Sequence, residues 1–337
     1  TTTERKRILL ANIYGVDIDA QAVEVTKLSL LLKVLEGETE QSLKPQLSMF
    51  KERALPNLGS NIKCGNSLIG PEFFTGQQLN LIDTEEQLRI NVFDWEKSFP
   101  QIFSGKNPGF DIIIGNPPYI RIQAMKEWAP IEVEYYKKRY ASASKGNYDI
   151  YVVFVERALS FLAKGGLLGY ILPHKFFNAQ YGETIRQMLA RGKHLQEIVH
   201  FGDQQVFKGA TTYTCLLFLS KESNEKLMFE KVNELDQWRQ EKTVSLQGDS
   251  TIQSINLKGV ISQPSEAEWN FMVGEGSELF ERLRKIPVKL SDVADRIFQG
   301  LVTGADPVFI LKDIGRGRYF SEAAQKEYEL DPALMHP

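Results

Sequence analysis

The run Phe110–Gly115, FDIIIG, stops at Asn116-Pro117-Pro118-Tyr119. A nearly unbroken, branched apolar run of this length is the pattern of a central parallel strand buried on both faces, and therefore of an α/β sheet. Two successive prolines then fix φ twice and remove two N–H donors. The residue before them is pushed to an extended conformation. The strand must end in a rigid, carbonyl-rich turn at the carboxyl edge of a sheet, where open α/β folds bind their ligands. That turn offers one amide side chain, one bare carbonyl and one aromatic face.

The surrounding pattern agrees with such a sheet. A strand signal at 12–17, NIYGVD, runs into AQAVEVTKLSLLLKVL, where Ala22, Val25, Leu28, Leu32 and Leu35 recur at helical spacing. Asp19 is placed to cap that helix. A short strand is expected at 61–64, a helix around DWEKSFPQIF, an amphipathic helix over 148–163 closed by Gly165 and Gly166, and strands at 167–173, 195–202 and 214–220. A further helix is expected at 181–191, whereas 120–147 is basic and aromatic without a clear period. Strands and helices alternating in this way predict a doubly wound α/β sheet.

With 337 residues, two domains or one large one fit. No apolar run is long enough to span a membrane, and the polar N-terminus is not a signal peptide, so the chain reads as cytoplasmic. Two cysteines, Cys64 and Cys215, exclude a disulfide scaffold and a cysteine zinc site, and four scattered histidines suggest no metal. The net charge of −3 argues against nucleic acid, but residues 119–212 hold thirteen Lys and Arg against eight Asp and Glu. A basic middle in an acidic chain can bind phosphates on one face.

The groups of the turn suit a planar base with an exocyclic amine. The Asn116 side-chain oxygen and the Pro117 carbonyl can each accept one N–H, while Tyr119 can stack on the ring. FDIIIGNPPYIR resembles the catalytic motif of S-adenosylmethionine-dependent N6-adenine methyltransferases. Together with NIYGVDIDAQAVEVTKLSLLLKVL, NIKCGNSLIG, FDWEKSFPQIF, YDIYVVFVERAL and GGLLGYILPHKFF, it resembles the modification module of type IIG restriction–modification enzymes of the Eco57I-like, NPPY family, over roughly residues 8–220.

The resemblance implies a Rossmann-like class I methyltransferase sheet, mixed and doubly wound, over 1–222. A connecting β/α segment (223–288) and the start of a target-recognition domain (289–337) would follow. It implies S-adenosylmethionine as cofactor, duplex DNA as partner and base flipping as the route to the amine. Asp17 would hold the cofactor's ribose, Ile18 would pack on its adenine, and Asn66 with Ser67 would meet the adenine amine. The family often has Asp at the Asn66 position, so charge assistance is lost there. Asn116, Pro117, Pro118 and Tyr119 would form the catalytic turn, and Phe207, in VFKGATTYTCLLFL, would stack on the flipped base with Tyr119. The basic stretch nominates Arg121, Lys137, Lys138, Arg139, Lys145 and Lys175 for DNA contacts.

The sequence departs from the family at one point. No glycine-rich cofactor loop of the D-P-x-x-G-S-G kind precedes Asp17, so the chain reads as a fragment that begins after the first cofactor motif and is weakly active or inactive alone. No nuclease cluster is seen, so any endonuclease, fused or separate, would lie outside this chain. Other readings remain open. The chain could be a DNA-binding and specificity fragment without catalysis. It could be an NPPY enzyme acting on protein glutamine or rRNA, or one acting on cytosine N4.

Overall fold

The computed structural model describes residues 2–37, 56–75, 84–207, 209, 212–246 and 256–271, and beyond them 279, 282–283, 286–288, 290–294, 311–321 and 324–330. The chain divides into two compact units, Thr1–Ser277 and Glu278–Pro337.

The first unit opens with a helix that the sequence pattern does not announce, α1 (Thr2–Asn12), followed by β1 (Gly15–Asp17) and α2 (Ala20–Leu35). Asp19 caps α2 by accepting the Gln21 N–H at 2.8 Å. β2 (Ile62–Cys64) runs parallel to β1 with Cys64 opposite Asp17. Val23 and Val34 of α2 close over Leu9, Leu58 and Ile62. Val25, Leu28 and Leu32, expected on the buried face, are instead 63, 55 and 59% exposed. LSLLLKVL is apolar around more than one face, so spacing alone does not select the face that packs.

Four helices lead toward and away from the motif strand: α3 (Thr84–Ile90), α4 (Trp95–Ser98) and α5 (Pro100–Phe103) come before β3 (Phe110–Gly115), and α6 (Ile122–Trp128) comes directly after the motif. Next come α7 (Pro130–Arg139), α8 (Tyr151–Phe161), β4 (Leu162–Pro173), α9 (Glu183–Arg191), β5 (Leu195–His200) and β6 (Thr214–Ser220). The segment expected to connect two domains supplies β7 (Lys226–Lys231), α10 (Leu235–Leu246) and β8 (Leu257–Ser262) to the same unit.

The six strands are ordered β3-β4-β6-β5-β7-β8. β3 with β4 and β5 with β7 are parallel, and the other pairs are antiparallel. Because side chains alternate across a strand, Ile198, Leu217 and Leu219 enter the main core, while Val199, Leu216 and Phe218 pack with Val232, Leu235 and Trp238 on the opposite face. The result is a mixed sheet, not a barrel, flanked by helices: the Rossmann-like class I methyltransferase arrangement.

β3 itself is not the central strand, buried on both faces, that its composition predicts. Among the described residues it pairs with β4 alone. Ile113 packs against the core, but Ile112 and Ile114 are 66 and 80% exposed. Among the described residues one face and one edge of the strand are uncovered, and β1 likewise pairs with β2 alone.

In the second unit, β9 (Lys312–Gly315), β10 (Arg318–Ser321) and β11 (Lys326–Glu329) form an antiparallel meander. Most of LSDVADRIFQGLVTGADPVFIL, expected to open a recognition domain, falls at 295–310, outside the described residues. Among the described residues no helix is long and apolar enough to cross a membrane, and no three acidic, Cys or His side chains gather to hold a metal ion.

Candidate active site

Gly115 lies opposite Tyr170 in the parallel pair, so β4 continues as Ile171, Leu172 and Pro173 alongside the Asn-Pro-Pro-Tyr turn. A Cβ on Gly115 would stand 2.9 Å from the Tyr170 ring, which explains the glycine before Asn116. Asn116 and Pro118 are exposed, Pro117 is buried and Tyr119 is half-buried. The Tyr119 hydroxyl donates to the Ile171 carbonyl at 3.1 Å. Burial pushes this phenol up to about 12, so it remains a donor at neutral pH.

The same edge receives the segment that carries Phe207. β6 starts at Thr214 opposite Pro173, and β5 ends at His200 opposite Cys215. The chain therefore leaves the sheet after His200 and re-enters it at Thr214, beside the end of β4. Phe207 is 36% exposed there. Two histidines sit at the root of this segment with ring centroids 4.3 Å apart, His174 after β4 and His200 at the end of β5. His200 Nδ1 accepts the Gly202 N–H at 3.0 Å, so that nitrogen carries no proton. Burial, with His174 beside it, pushes His200 down to about 4.

The residues expected to hold the cofactor lie at the carboxyl ends of β1 and β2. Asp17 is exposed, and its Oδ1 accepts the Asp19 N–H at 2.8 Å. Ile18 is 55% exposed. The two strand ends are joined by the Cys64 thiol on the Ile18 carbonyl at 3.5 Å and by the Gly65 N–H on the Asp17 carbonyl at 2.8 Å. A Cβ on Gly65 would stand 2.5 Å from the Phe93 ring, so this asparagine too is preceded by an obligatory glycine.

Asn66 is buried, at 7% exposure. Its Oδ1 accepts the Leu68 N–H at 3.1 Å, and its proximity offsets part of the rise that burial imposes on the Tyr136 phenol. Ser67 is half-buried, and its carbonyl accepts the Trp95 indole N–H at 3.1 Å. An exposed carboxylate beside an exposed aliphatic side chain fits the ribose and base of a nucleoside. Asn66 fits less directly, because its oxygen already serves the turn.

The two groups of residues are tied together through α7, which follows the motif. The Tyr140 hydroxyl, at the residue that ends α7, donates to the Leu68 carbonyl at 2.6 Å. At the other end of the strands, Tyr14 before β1 packs on Phe99 and lies 6.3 Å from Phe110 at the start of β3. Arg89 of α3 forks onto the buried Glu132 of α7 at 2.6 and 2.9 Å.

The cationic candidates divide by their partners. Lys137 is 2.6 Å from Glu134, and Arg139 is 3.4 Å from Glu72 and lies over the Tyr140 ring. Lys137, Lys138 and Arg139 occupy the last turn of α7, where the helix dipole favours cations without any ligand. Arg121, Lys145 and Lys175 stand exposed away from that helix end. Sequence reasoning missed Tyr136, the two histidines, and the group Asp149, Tyr151 and Tyr181. The only sequence signal for the last group is the polar-aromatic start YDIY of an otherwise apolar helix.

Residues 11–207 match the model of the Eco57I restriction-modification methylase family. The type II restriction enzyme and methyltransferase RM.Eco57I of Escherichia coli is 34% identical over 340 residues, covering 99% of this chain and 31% of the relative. The type II methyltransferase M.PaeR7I of Pseudomonas aeruginosa is 27% identical over 60% of this chain and 35% of its own length. This chain thus spans about a third of each of these relatives. Among solved structures, the cryoEM DrdV–DNA complex shares the fold, with a TM-score of 0.51 and 14% identity over 82% of this chain and 26% of that one.

Proposed function

Since the chain belongs to the Eco57I restriction-modification methylase family, we propose that it transfers a methyl group from S-adenosylmethionine to N6 of adenine in duplex DNA, within a restriction–modification system. The observation that carries this reading is the edge where Asn116 stands exposed on a proline-locked turn, next to a Tyr119 whose hydroxyl is already anchored. A site that binds an exocyclic amine needs acceptors, and the turn has little else.

The target adenine must leave the helical stack, which costs a few kcal/mol. Stacking on Tyr119 and Phe207 offsets it, at roughly 1–3 kcal/mol per base. Asn116 Oδ1 and the Pro117 carbonyl accept the two amine hydrogens and aim the nitrogen lone pair. When bound, the cofactor supplies an electrophilic methyl group. Asp17 would hold its ribose hydroxyls, Ile18 would cover one face of its adenine, and Asn66 and Ser67 would line the end of that base. Because the Asn66 oxygen accepts from Leu68, it would serve the amine only through its second lone pair. Catalysis is positioning and polarisation, with no covalent bond to the protein. Arg121, Lys138, Lys145 and Lys175 are the cations proposed for the DNA backbone, ahead of Lys137 and Arg139. Any endonuclease of the system, fused or separate, would lie outside this chain.

The test is competition. Labelled methyl transfer is followed with duplex DNA, an rRNA fragment and a glutamine-bearing peptide offered together. Label confined to the DNA supports the reading, and label in the RNA or the peptide overturns it.

A further inference from the structure

Behind Tyr119 lies a second aromatic residue whose polar atom is buried and partnered. Tyr151, at the start of α8, has no exposed surface. Its ring meets the Tyr119 ring edge to face, with centroids 6.3 Å apart at 83°. Its hydroxyl is 2.8 Å from the Tyr181 hydroxyl, which in turn donates to Asp149 Oδ2 at 3.3 Å. The carboxylate can only accept, so Tyr181 spends its proton there and Tyr151 must donate to Tyr181. The order of the three groups is therefore fixed. A phenylalanine would fill the same space without requiring a partner, and a buried hydroxyl left alone is unfavourable.

Asp149 does more than accept. The Ile122 N–H bonds the Tyr148 carbonyl and the Ile150 N–H bonds the Ile120 carbonyl, each at 2.9 Å, with Arg121 and Asp149 bridged between them. The three residues after the motif are thus clasped by residues 148–150, whose middle member ends the hydroxyl chain. Tyr119 is held at its hydroxyl by β4, at its backbone exit by 148–150, and along one ring edge by Tyr151.

We propose that Tyr151 is a positioning residue for Tyr119, itself oriented by Tyr181 and Asp149, so that the motif's aromatic face is set before a base arrives. This rests on the methyl-transfer reading above. The readout is steady-state methylation of duplex DNA by Tyr151→Leu and Tyr151→Phe, each made alone and with Tyr119→Ala. Tyr151→Leu is expected to lower kcat at least tenfold, with KM for S-adenosylmethionine unchanged within twofold. Tyr151→Phe, which keeps the ring but cuts its bond to Tyr181, should fall between the unmodified chain and Tyr151→Leu, about threefold down. In the Tyr119→Ala background, Tyr151→Leu should add less than a twofold loss.

Equal losses in both backgrounds, or a loss carried by the cofactor KM, would overturn the proposal and leave Tyr151 a core residue. If the unmodified chain transfers no methyl group, as the missing glycine-rich loop before Asp17 allows, the kinetic comparison gives way to a second readout. The positioning is then decided by amide exchange. Tyr151→Leu must speed exchange at Ile122 and Ile150 at least tenfold more than at the β6 amides, and Tyr151→Phe must not. Unchanged exchange at those two amides overturns it.

Discussion

Glu132 has 4% of its side chain exposed and is gripped by an Arg89 side chain that is 37% exposed. The two partners of this pair are therefore not equivalent, and the structure fixes which loss is worse. Arg89→Met leaves a buried carboxylate with no counter-charge, and breaking a buried pair in that sense costs about 3–5 kcal/mol. Glu132→Gln leaves a guanidinium that can turn toward water and still reach Glu86, at 3.3 Å. That loss is the smaller one, about 1–2 kcal/mol. For a unit of this size the two figures correspond to a fall in Tm of roughly 10 °C and roughly 4 °C. Thermal unfolding followed by circular dichroism at neutral pH reads both. The pair also joins α3 to α7, and so frames Asn66 from two sides. Cofactor affinity should fall in the same order. A Glu132→Gln loss equal to or larger than that of Arg89→Met would refute the reasoning, since it would mean that the arginine is the desolvated partner.

Asp17→Ala should weaken S-adenosylmethionine binding about tenfold or more, by loss of a charge-assisted bond of roughly 1.5–3 kcal/mol; titration calorimetry measures it. His200, held at about 4 in the fold against an ordinary 6.5, binds fewer protons there than in the unfolded chain across that window. Stability must therefore fall as pH drops from 6.5 towards 4, by up to about 3 kcal/mol. Urea unfolding at pH 7 and pH 4.5 should show the drop, and His200→Gln should reduce it. Arg121→Gln should lower the salt slope of DNA binding by about one, whereas Lys137→Gln, whose charge already faces Glu134, should change it less. Fluorescence anisotropy at several salt concentrations separates the two.

The parts that were legible in the sequence are those governed by local chemistry. Two prolines after a branched apolar run dictate a stiff turn in any surroundings, and Asp19 is where a cap must be for α2 to start. The exposure of Ile112 and Ile114 was not legible, because composition reports what a strand can bury and its neighbours decide what it does bury. α7 escaped for a related reason. Its apolar stripe is interrupted by Glu132, which becomes an interior residue only when Arg89, 43 positions earlier, is folded against it. The contacts behind Tyr119 join positions 119, 149, 151 and 181, and no pattern within one element encodes a hydrogen bond across 30 residues.

The proposed role of Asn116 and Pro117 is to present an adenine amine for methylation. It is tested most directly by digesting the treated duplex to nucleosides and weighing the methylated product formed by the unmodified chain and by Asn116→Ala at saturating cofactor. N6-methyldeoxyadenosine is expected, reduced about 10²–10³-fold in the variant, with cofactor affinity unchanged. N4-methyldeoxycytidine as the product, or a variant as active as the unmodified chain, would contradict it.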